Sequence, residues 1–355
     1  MLKKRVATIC SVTLIAMTTL VGCSTSNQAT SENSTSNSGQ ESESSSSESK
    51  VFRLAHVVAP DENHPYTVTA ESFKKYVEEK TNGKIKINIF PGGQLGGDTD
   101  LLEMVRKGTL DLGVISGPVL ANYTPVQAVL DLPWLYNNNL ELMHEAFTSE
   151  IGQKVLERMS KDVGVKGLAY SYQGFRHFIT NKPVQSIEDL QGMKFRTQQS
   201  PLHVQMFQTI GMSPTPIPFP ELYSSMQTGV IDGFETDLFG YDTSKFYEVG
   251  KYVSLSGHFN NTELLLMSNE IFDKLSPEEQ KIIQEGANFA TEEAYKKSVN
   301  LSDEYLERSK KNGAVVTELD ISKLKEMVQP VYDEWLAKDP LIEEYVTYVE
   351  GIKKN

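Results

Sequence analysis

A helical pattern of unusual length runs from Pro277 to Lys311. Ser276 followed by Pro277 is typical of a capped helix start, and Asn312-Gly313 is typical of a helix end. At roughly 1.5 Å of rise per residue, this helix would be about 50 Å long. Because the core of one ordinary domain is smaller than that, the pattern predicts a strut that crosses two lobes.

Before this helix, the chain alternates between strand and helix patterns, and the alternation begins a second time near residue 165. Asp98 precedes one of the helical patterns, and we expect it to cap that helix. The alternation predicts an α/β fold with a largely parallel sheet. Strands are expected over 52–57, 85–89, 110–116, 165–170, 192–196 and 230–234, and the shorter helices over 66–80, 99–107, 201–210 and 221–227.

The N-terminus predicts export and attachment to a membrane. Residues 1–22 combine a basic start with a short apolar run, as in a signal peptide, and small residues precede Cys23 as in a bacterial lipobox. A plain secretory signal with an incidental cysteine is the alternative. Residues 24–50 hold twelve serines and four glutamates and almost no bulky apolar residue. We therefore expect 23–50 to be a lipidated cysteine with a disordered tether.

Composition and motifs exclude or fail to support several classes of function. The net charge of −13 gives no basic surface for nucleic acid. The two cysteines, Cys10 and Cys23, precede the folded part, so a disulfide framework, a zinc–cysteine site and a cysteine nucleophile are not expected there. The six histidines lack the spacing of a metal site, and no Gly-x-Ser-x-Gly motif occurs. We predict no enzyme activity, no catalytic residue, no metal and no cofactor.

Arginines are the best candidates for a ligand site. Residues 51–355 contain six, of which Arg196 ends a short predicted strand and Arg176 follows another strand among aromatic residues. Ligands of open α/β sheets bind at the carboxyl ends of strands, and a guanidinium can hold a carboxylate with two parallel hydrogen bonds. By spacing alone, a structural ion pair is the alternative for either arginine.

Eight short motifs, taken together and in order, resemble the extracytoplasmic solute-binding proteins of tripartite ATP-independent periplasmic (TRAP) transporters. The match is to the DctP-type branch, which binds dicarboxylates and sugar acids, and it covers nearly all of residues 51–331. The motifs lie at 54–57, 80–86, 90–96, 130–135, 192–196, 214–219, 227–233 and 246–249.

The resemblance implies a two-lobed α/β fold of the periplasmic-binding-protein (Venus-flytrap) kind, with crossing strands and a long lobe-spanning helix. We expect residues 51–173 with about 262–301 to form lobe I, and 174–261 with about 302–355 to form lobe II. The expected partners are a small organic acid and the small and large membrane subunits of a TRAP permease. The protein would stand lipid-anchored at the outer face of the bacterial cell membrane.

The resemblance also implies roles for particular residues. Arg196 matches the arginine that clamps the ligand carboxylate, Arg176 matches a second arginine, and Phe219 matches an aromatic residue of the cleft. The family usually reads Gln-Glu-Asn-Pro where this chain reads Phe234-Glu235-Thr236-Asp237. Recognition of the far end of the ligand is therefore open. Further polar candidates for that end are His56, Gln94, Ser116, Tyr172, Gln198, Glu235, Thr236 and Asp237.

The predicted function is capture of a small organic acid for uptake. C4-dicarboxylates and sugar acids such as uronates both fit a carboxylate clamp. Sugar acids are slightly favoured, because the candidate site residues include many hydrogen-bonding side chains. The alternatives are a binding protein that feeds a membrane sensor, an extracellular enzyme acting on acidic sugars, and a purely structural lipoprotein.

Overall fold

The computed structural model describes residues 49–354. The predicted signal peptide, Cys23 and nearly all of the predicted tether lie outside the described residues. Over 49–354, every helix is either too short or too polar to cross a membrane.

A single mixed sheet runs through the whole described chain. Its strands, in chain order, are β1 Lys50–Ala55, β2 Ile85–Phe90, β3 Leu112–Ser116, β4 Lys166–Thr180, β5 Lys194–Thr197, β6 Ser213–Pro216, β7 Gly233–Thr236, β8 Tyr252–Met267 and β9 Val315–Glu318. They are arranged in the order β2-β1-β3-β8-β4-β7-β5-β6, and β9 pairs with β8.

Helices cover both ends of this sheet. They are α1 Pro65–Lys80, α2 Asp98–Arg106, α3 Ala128–Asp131, α4 Leu140–Thr148, α5 Glu150–Val163, α6 Pro201–Thr209, α7 Leu222–Gln227, α8 Leu238–Thr243, α9 Asn269–Asp273, α10 Pro277–Lys311, α11 Ser322–Leu336 and α12 Pro340–Ile352. The long helix predicted over 277–311 is present with these bounds, and Ser276 with Glu279 forms its capping box.

Two long strands connect the two ends of the molecule. β4 and β8 have 15 and 16 residues and pair antiparallel along most of their length. At one end β8 pairs with β3, and at the other end β4 pairs with β7. The register of β4 against β8 shifts between Tyr172 and Gly174 and again between Arg176 and Phe178. Such shifts bend a strand, so β4 bends where it passes from one lobe to the other.

Each lobe has its own apolar core. One core surrounds β1, β2 and β3, and we call this part the first lobe. Two smaller cores flank β5 and β7 and define the second lobe. The predicted two-lobed α/β class is therefore confirmed. The lobe bounds stay a prediction, and Ile342 and Tyr345 of α12, which we expected in lobe II, pack into the core of the first lobe.

Three local expectations were wrong. Asp98 does not cap α2, since Gly97 holds the cap position and the Asp98 carboxylate accepts a hydrogen bond from the backbone N–H of Ser116 instead. The sheet is mixed, because both crossing strands run antiparallel to their neighbours. β8 was missed because its polar residues 258–263 are buried at the crossing and interrupt the apolar pattern that would identify a strand.

Candidate ligand-binding site

Arg176 and Arg196 meet at the junction of the two lobes. Arg176 lies at the second bend of β4, and Arg196 lies in the short buried strand β5. Both side chains are almost fully buried, at 1% and 2% exposure. Because β7 pairs with both strands, Glu235 of β7 comes to lie between the two guanidinium groups.

Glu235 binds both arginines. Its carboxylate accepts from Arg176 Nε and, at 3.3 Å, from Arg196 Nη1, while its backbone oxygen accepts from Arg176 Nη2 at 2.9 Å. The carbonyl of Ile217 accepts from Arg196 Nε at 2.8 Å. These bonds hold both guanidinium planes in place, so they need no reorganisation when a ligand arrives.

Two amide side chains complete the surroundings of Arg176. Asn261 Oδ1 accepts from Arg176 Nη1. With its amide oxygen turned towards Arg176, Gln198 accepts from both Nη atoms at 3.0 and 3.2 Å and lies within hydrogen-bond distance of Ser116 Oγ. Ser116 belongs to the first lobe and Gln198 to the second, so this contact joins the lobes.

A small cavity of about 20 Å³ lies beside Arg176. Tyr66 and Asp98 of the first lobe line one side, and Phe219 and Asp237 of the second lobe line the other. This volume holds about one water molecule, whereas ordinary ligand pockets measure roughly 300–1,000 Å³. The lobes are therefore closed on each other, and a larger molecule enters only when they separate.

The cavity carries two carboxyl groups besides the arginine. Burial raises the pKa of Asp98 to about 6. The hydrogen bond from the Ser116 N–H and the charges of both arginines lower this pKa but do not outweigh burial. Burial also raises the pKa of Asp237. Asp237 caps α8 by accepting from the N–H of Gly240 at 2.9 Å, and it accepts from Asn261 Nδ2 at 2.8 Å. The site thus offers a guanidinium group and carboxyl acceptors around one small cavity.

The structure brings most of the predicted site residues together. The cavity lining or its immediate hydrogen-bonded surroundings include Arg176, Arg196, Ser116, Gln198, Phe219, Glu235, Thr236 and Asp237.

Three predicted residues lie elsewhere. Tyr172 is buried in the first core, and its hydroxyl bonds His144 Nδ1 at 3.1 Å. His56 is buried behind Tyr66, with its ring 5.9 Å from the tyrosine ring. Gln94 is exposed on the loop before α2.

Sequence reasoning missed Tyr66, Asp98, Gln173, Asn261 and Glu263. Asp98 was interpreted as a helix cap. Its position after the glycine-rich loop that follows a strand could instead have indicated a residue of the ligand site. Asn261 and Glu263 lie two residues apart in β8, so they share a face of the sheet. No signal pointed to them, because the strand itself was not recognised.

A larger groove of about 660 Å³ lies beside the crossing strands, lined by Phe175, His177 and Tyr295 among others. Neither arginine lines it. The chemistry of the buried polar groups, rather than volume, therefore locates the candidate site.

Comparison with known proteins gives a consistent result. Residues 54–339 match the family model of DctP, described as bacterial extracellular solute-binding protein, family 7. The chain is 31% identical over 255 residues to the 2,3-diketo-L-gulonate-binding periplasmic protein YiaO of Escherichia coli K12, covering 71% of this chain and 77% of that protein.

Two solved structures illustrate the similarity of fold. A TRAP periplasmic solute-binding protein of Xanthobacter autotrophicus Py2 with bound β-D-galacturonate is 32% identical, with a TM-score of 0.80 over 84% of this chain and 99% of that chain. One of Polaromonas sp. JS666 bound to D-erythronate is 30% identical, with a TM-score of 0.79 over 84% of this chain and 98% of that chain.

These relatives are binding proteins of transporters rather than enzymes, and such proteins work outside the cytoplasm with membrane permease subunits. The family match spans most of the chain. The chain belongs to family 7 of the bacterial extracellular solute-binding proteins, the solute-binding proteins of TRAP transporters.

Proposed function

We propose that this protein captures a sugar acid between its lobes and delivers it to a TRAP permease, with a lipid on Cys23 as its membrane anchor. One observation carries the proposal. Arg176 lines a cavity whose walls come from both lobes, and Glu235 joins it to a second buried arginine, Arg196. A carboxylate bound there would meet prearranged donors and become enclosed when the lobes close.

Arg196 is the better candidate for the carboxylate clamp. Its Nε and Nη1 atoms have protein acceptors. Among residues 49–354, no protein group accepts a hydrogen bond from Nη2, so this donor is available to a ligand. Burial lowers the pKa of Arg196 to about 10, with Glu235 opposing and Arg176 adding to the effect. The guanidinium is still charged at neutral pH.

The lining of the cavity favours sugar acids over C4-dicarboxylates. It includes Asp98 and Asp237, together with Tyr66 and Asn261. A second carboxylate would meet two acidic side chains, whereas the hydroxyl groups of a sugar acid can donate to them. The relatives named above bind β-D-galacturonate, D-erythronate and 2,3-diketo-L-gulonate, which supports the same class of ligand.

A melting-temperature screen of residues 49–355 tests the ligand class, with D-galacturonate, D-erythronate and succinate as probes. A ligand at a hundred times its Kd adds about 2.7 kcal/mol of stability. We expect at least one sugar acid, and not succinate, to raise the melting temperature. A shift with succinate alone would contradict the preference for sugar acids, and recovery of a chemically altered probe would favour the enzyme alternative.

The Arg196→Ala variant tests the clamp by calorimetry with the best probe. Each charge-assisted hydrogen bond contributes roughly 1.5–3 kcal/mol, so we expect affinity to fall about a hundredfold or more. Arg53→Ala is the matched control, because Arg53 is an exposed arginine of β1 that is remote from the cavity lining. Near-normal affinity in Arg196→Ala would refute the clamp.

The anchor is tested separately in cells. If Cys23 carries the lipid, Cys23→Ser should move the protein from the membrane fraction to the soluble fraction. Retention of the variant on the membrane would contradict lipidation at this position.

A further inference from the structure

Four buried carboxyl groups face the two arginines at the junction of the lobes. Glu235 takes hydrogen bonds from both arginines. Among residues 49–354, no guanidinium group forms a hydrogen bond or ion pair with Asp98, Asp237 or Glu263. If all four were ionised, negative charges would exceed positive charges by two in a region that is nearly free of water. Unpaired charges in such a region are costly, and a buried carboxyl group usually takes up a proton instead.

Glu263 is the least compensated of these groups. It is fully buried in β8, opposite Ser116 of β3. Within the described residues, its Oε2 atom has no hydrogen-bond partner. The carboxylate of Asp98 accepts from the N–H of the same serine at 2.9 Å. Asp98 and Glu263 are therefore both neighbours of Ser116.

The Gln173 amide lies between two of these carboxyl groups. With its nitrogen turned towards them, it donates to Asp237 Oδ2 at 3.0 Å and to Glu263 Oε1 at 3.2 Å. Asp237 Oδ2 also accepts from Asn261 Nδ2 at 2.8 Å. Both carboxyl groups therefore contact neutral amide donors, which supply no positive charge to balance them.

The other titratable groups around the cluster do not remove the excess of negative charge. Burial raises the pKa of Tyr66 well above its usual value, which leaves its hydroxyl neutral. Asp131, whose charge also acts on Arg176, has partners of its own in Gln127 and His203. Burial lowers the pKa values of both His56 and His64, which flank Tyr66, to about 3, and that of His177 to about 4. They are therefore neutral near pH 7.

We propose that the closed site captures an anionic ligand together with a proton, which Asp98, Asp237 and Glu263 hold between them. The inference rests on the proposed function for the identity of the ligand as an acid. When the cleft is open, water stabilises ionised carboxylates. When it closes on a carboxylate, another negative charge enters and water leaves, so the cluster gains a proton. Burial raises the pKa values of all three carboxyl groups, which agrees with this direction.

Linkage gives the sign of the pH dependence. The liganded protein binds more protons, so affinity rises as the pH falls. A sugar acid is itself ionised between pH 6 and 8 and contributes no change there. For an uptake of up to about one proton per ligand, the Kd should fall by up to about tenfold per unit decrease in pH.

Calorimetry with D-galacturonate or D-erythronate, whichever binds, tests this directly. Titrations at pH 7 in two buffers of different ionisation enthalpy give the number of protons taken up. We expect net uptake in the wild type and in the surface control Glu188→Gln, and a smaller uptake in Glu263→Gln and Asp98→Asn. An affinity that is constant from pH 6 to 8, with no dependence on the buffer, would overturn the proposal.

A measurement without ligand separates this proposal from the proposed function. A protonated carboxyl group has an infrared C=O absorption distinct from that of a carboxylate. We expect this absorption at pH 7 in ligand-free protein whose lobes are cross-linked closed through Gln94→Cys and Glu221→Cys, and a weaker one when Glu263→Gln, which keeps the side-chain shape, is added to it. If no probe binds, the proposed function fails, while the infrared result still decides whether the closed cluster holds a proton. Absence of the band in the cross-linked protein would overturn the proposal.

Discussion

At the scale of single residues, Glu235 is central to the site. Its carboxylate lies between two guanidinium groups that would otherwise repel each other in a buried setting. Glu235 matches the glutamate of the family's Gln-Glu-Asn-Pro motif, and the structure gives a physical reason for a glutamate at this position. The two arginines stay close only while this negative charge lies between them.

We expect Glu235→Gln to destabilise the fold by about 3 kcal/mol, because breaking a buried ion pair leaves uncompensated charge. The glutamine has nearly the same shape, so the loss reflects charge rather than packing. Urea unfolding monitored by circular dichroism measures the effect. Glu188→Gln removes an exposed ion pair with Lys323 and should change stability little. Equal stability of the two variants would contradict the prediction.

Asp98 gives a second prediction at this scale. Its pKa is raised from 3.8 to about 6, first of all by burial. Below the pKa that Asp98 has in the unfolded state, its proton stabilises the folded state. This contribution to the free energy of unfolding is lost as the pH rises through about 6. Asp98→Asn removes the titration. We expect the stability of the variant relative to wild type to rise by up to about 3 kcal/mol from pH 4 to 6.

Urea unfolding at a series of pH values checks this prediction for Asp98→Asn. The exposed Asp273→Asn variant is the control, since its carboxyl group is already in water. A difference between Asp98→Asn and wild type that does not change with pH would show that the carboxyl group is not titrating in this range.

At the scale of elements, the lobe-spanning helix α10 depends on close packing with α1. Gly286 lies on α10 where a Cβ atom would meet Val77 Cγ2 at 3.0 Å and Tyr76 Cδ1 at 3.2 Å. A glycine usually weakens the interior of a helix. Its presence here indicates that the two helices can approach this closely only because position 286 carries no side chain.

We expect Gly286→Leu to destabilise the protein by about 1–3 kcal/mol, because the added atoms force the two helices apart. Gly351→Leu in α12 is the matched control, since no atom lies within 4 Å of a Cβ there. Replacing that glycine should leave stability unchanged or improve it. Thermal and urea unfolding of both variants measure the difference, and a stable Gly286→Leu would refute close packing at this position.

At the scale of the whole molecule, the cleft is closed at its mouth as well as at its floor. A Cβ atom on Gly93 of the first lobe would lie 2.7 Å from Pro220 of the second, and one on Gly97 would lie 3.0 Å from Pro218. β4 and β8 cross between the lobes, and two of their three register shifts lie at Tyr172/Gly174 and Arg176/Phe178. These bends are where we expect the hinge.

Labels across the mouth test the closure. Gln94 and Glu221 are exposed on the facing loops, and residues 49–355 contain no cysteine, so the pair can be replaced by labelled cysteines. We expect a sugar acid to shift the distance distribution, measured by fluorescence or spin labels, towards shorter values. A Lys75 and Gln94 pair within the first lobe should not change. Identical distributions with and without a binding acid would contradict hinge closure.

The sequence could predict the features that depend on local patterns. The α10 helix was found with its bounds, because capping residues and periodicity act within a few residues of each other. Arg196 was singled out because a family motif ends at it, and Arg176 because it matches the family's second arginine; their roles in ligand binding stay predictions. β8 was not found, because a buried strand of polar residues has no local pattern that identifies it. Asp98 was misread as a cap, because only the tertiary fold brings Ser116 to its carboxylate.

The sequence by itself determined the class of protein, the two arginines and the excess of acidic residues. The tertiary structure alone decided which acids face those arginines, since they come from three separate parts of the chain: Glu235 and Asp237 in and directly after β7, Asp98 in α2 and Glu263 in β8. Burial, hydrogen bonding and charge balance arise only when these elements meet. The physical reason is that electrostatic effects in a buried site depend on distance and on access of water, and neither can be read from the order of residues.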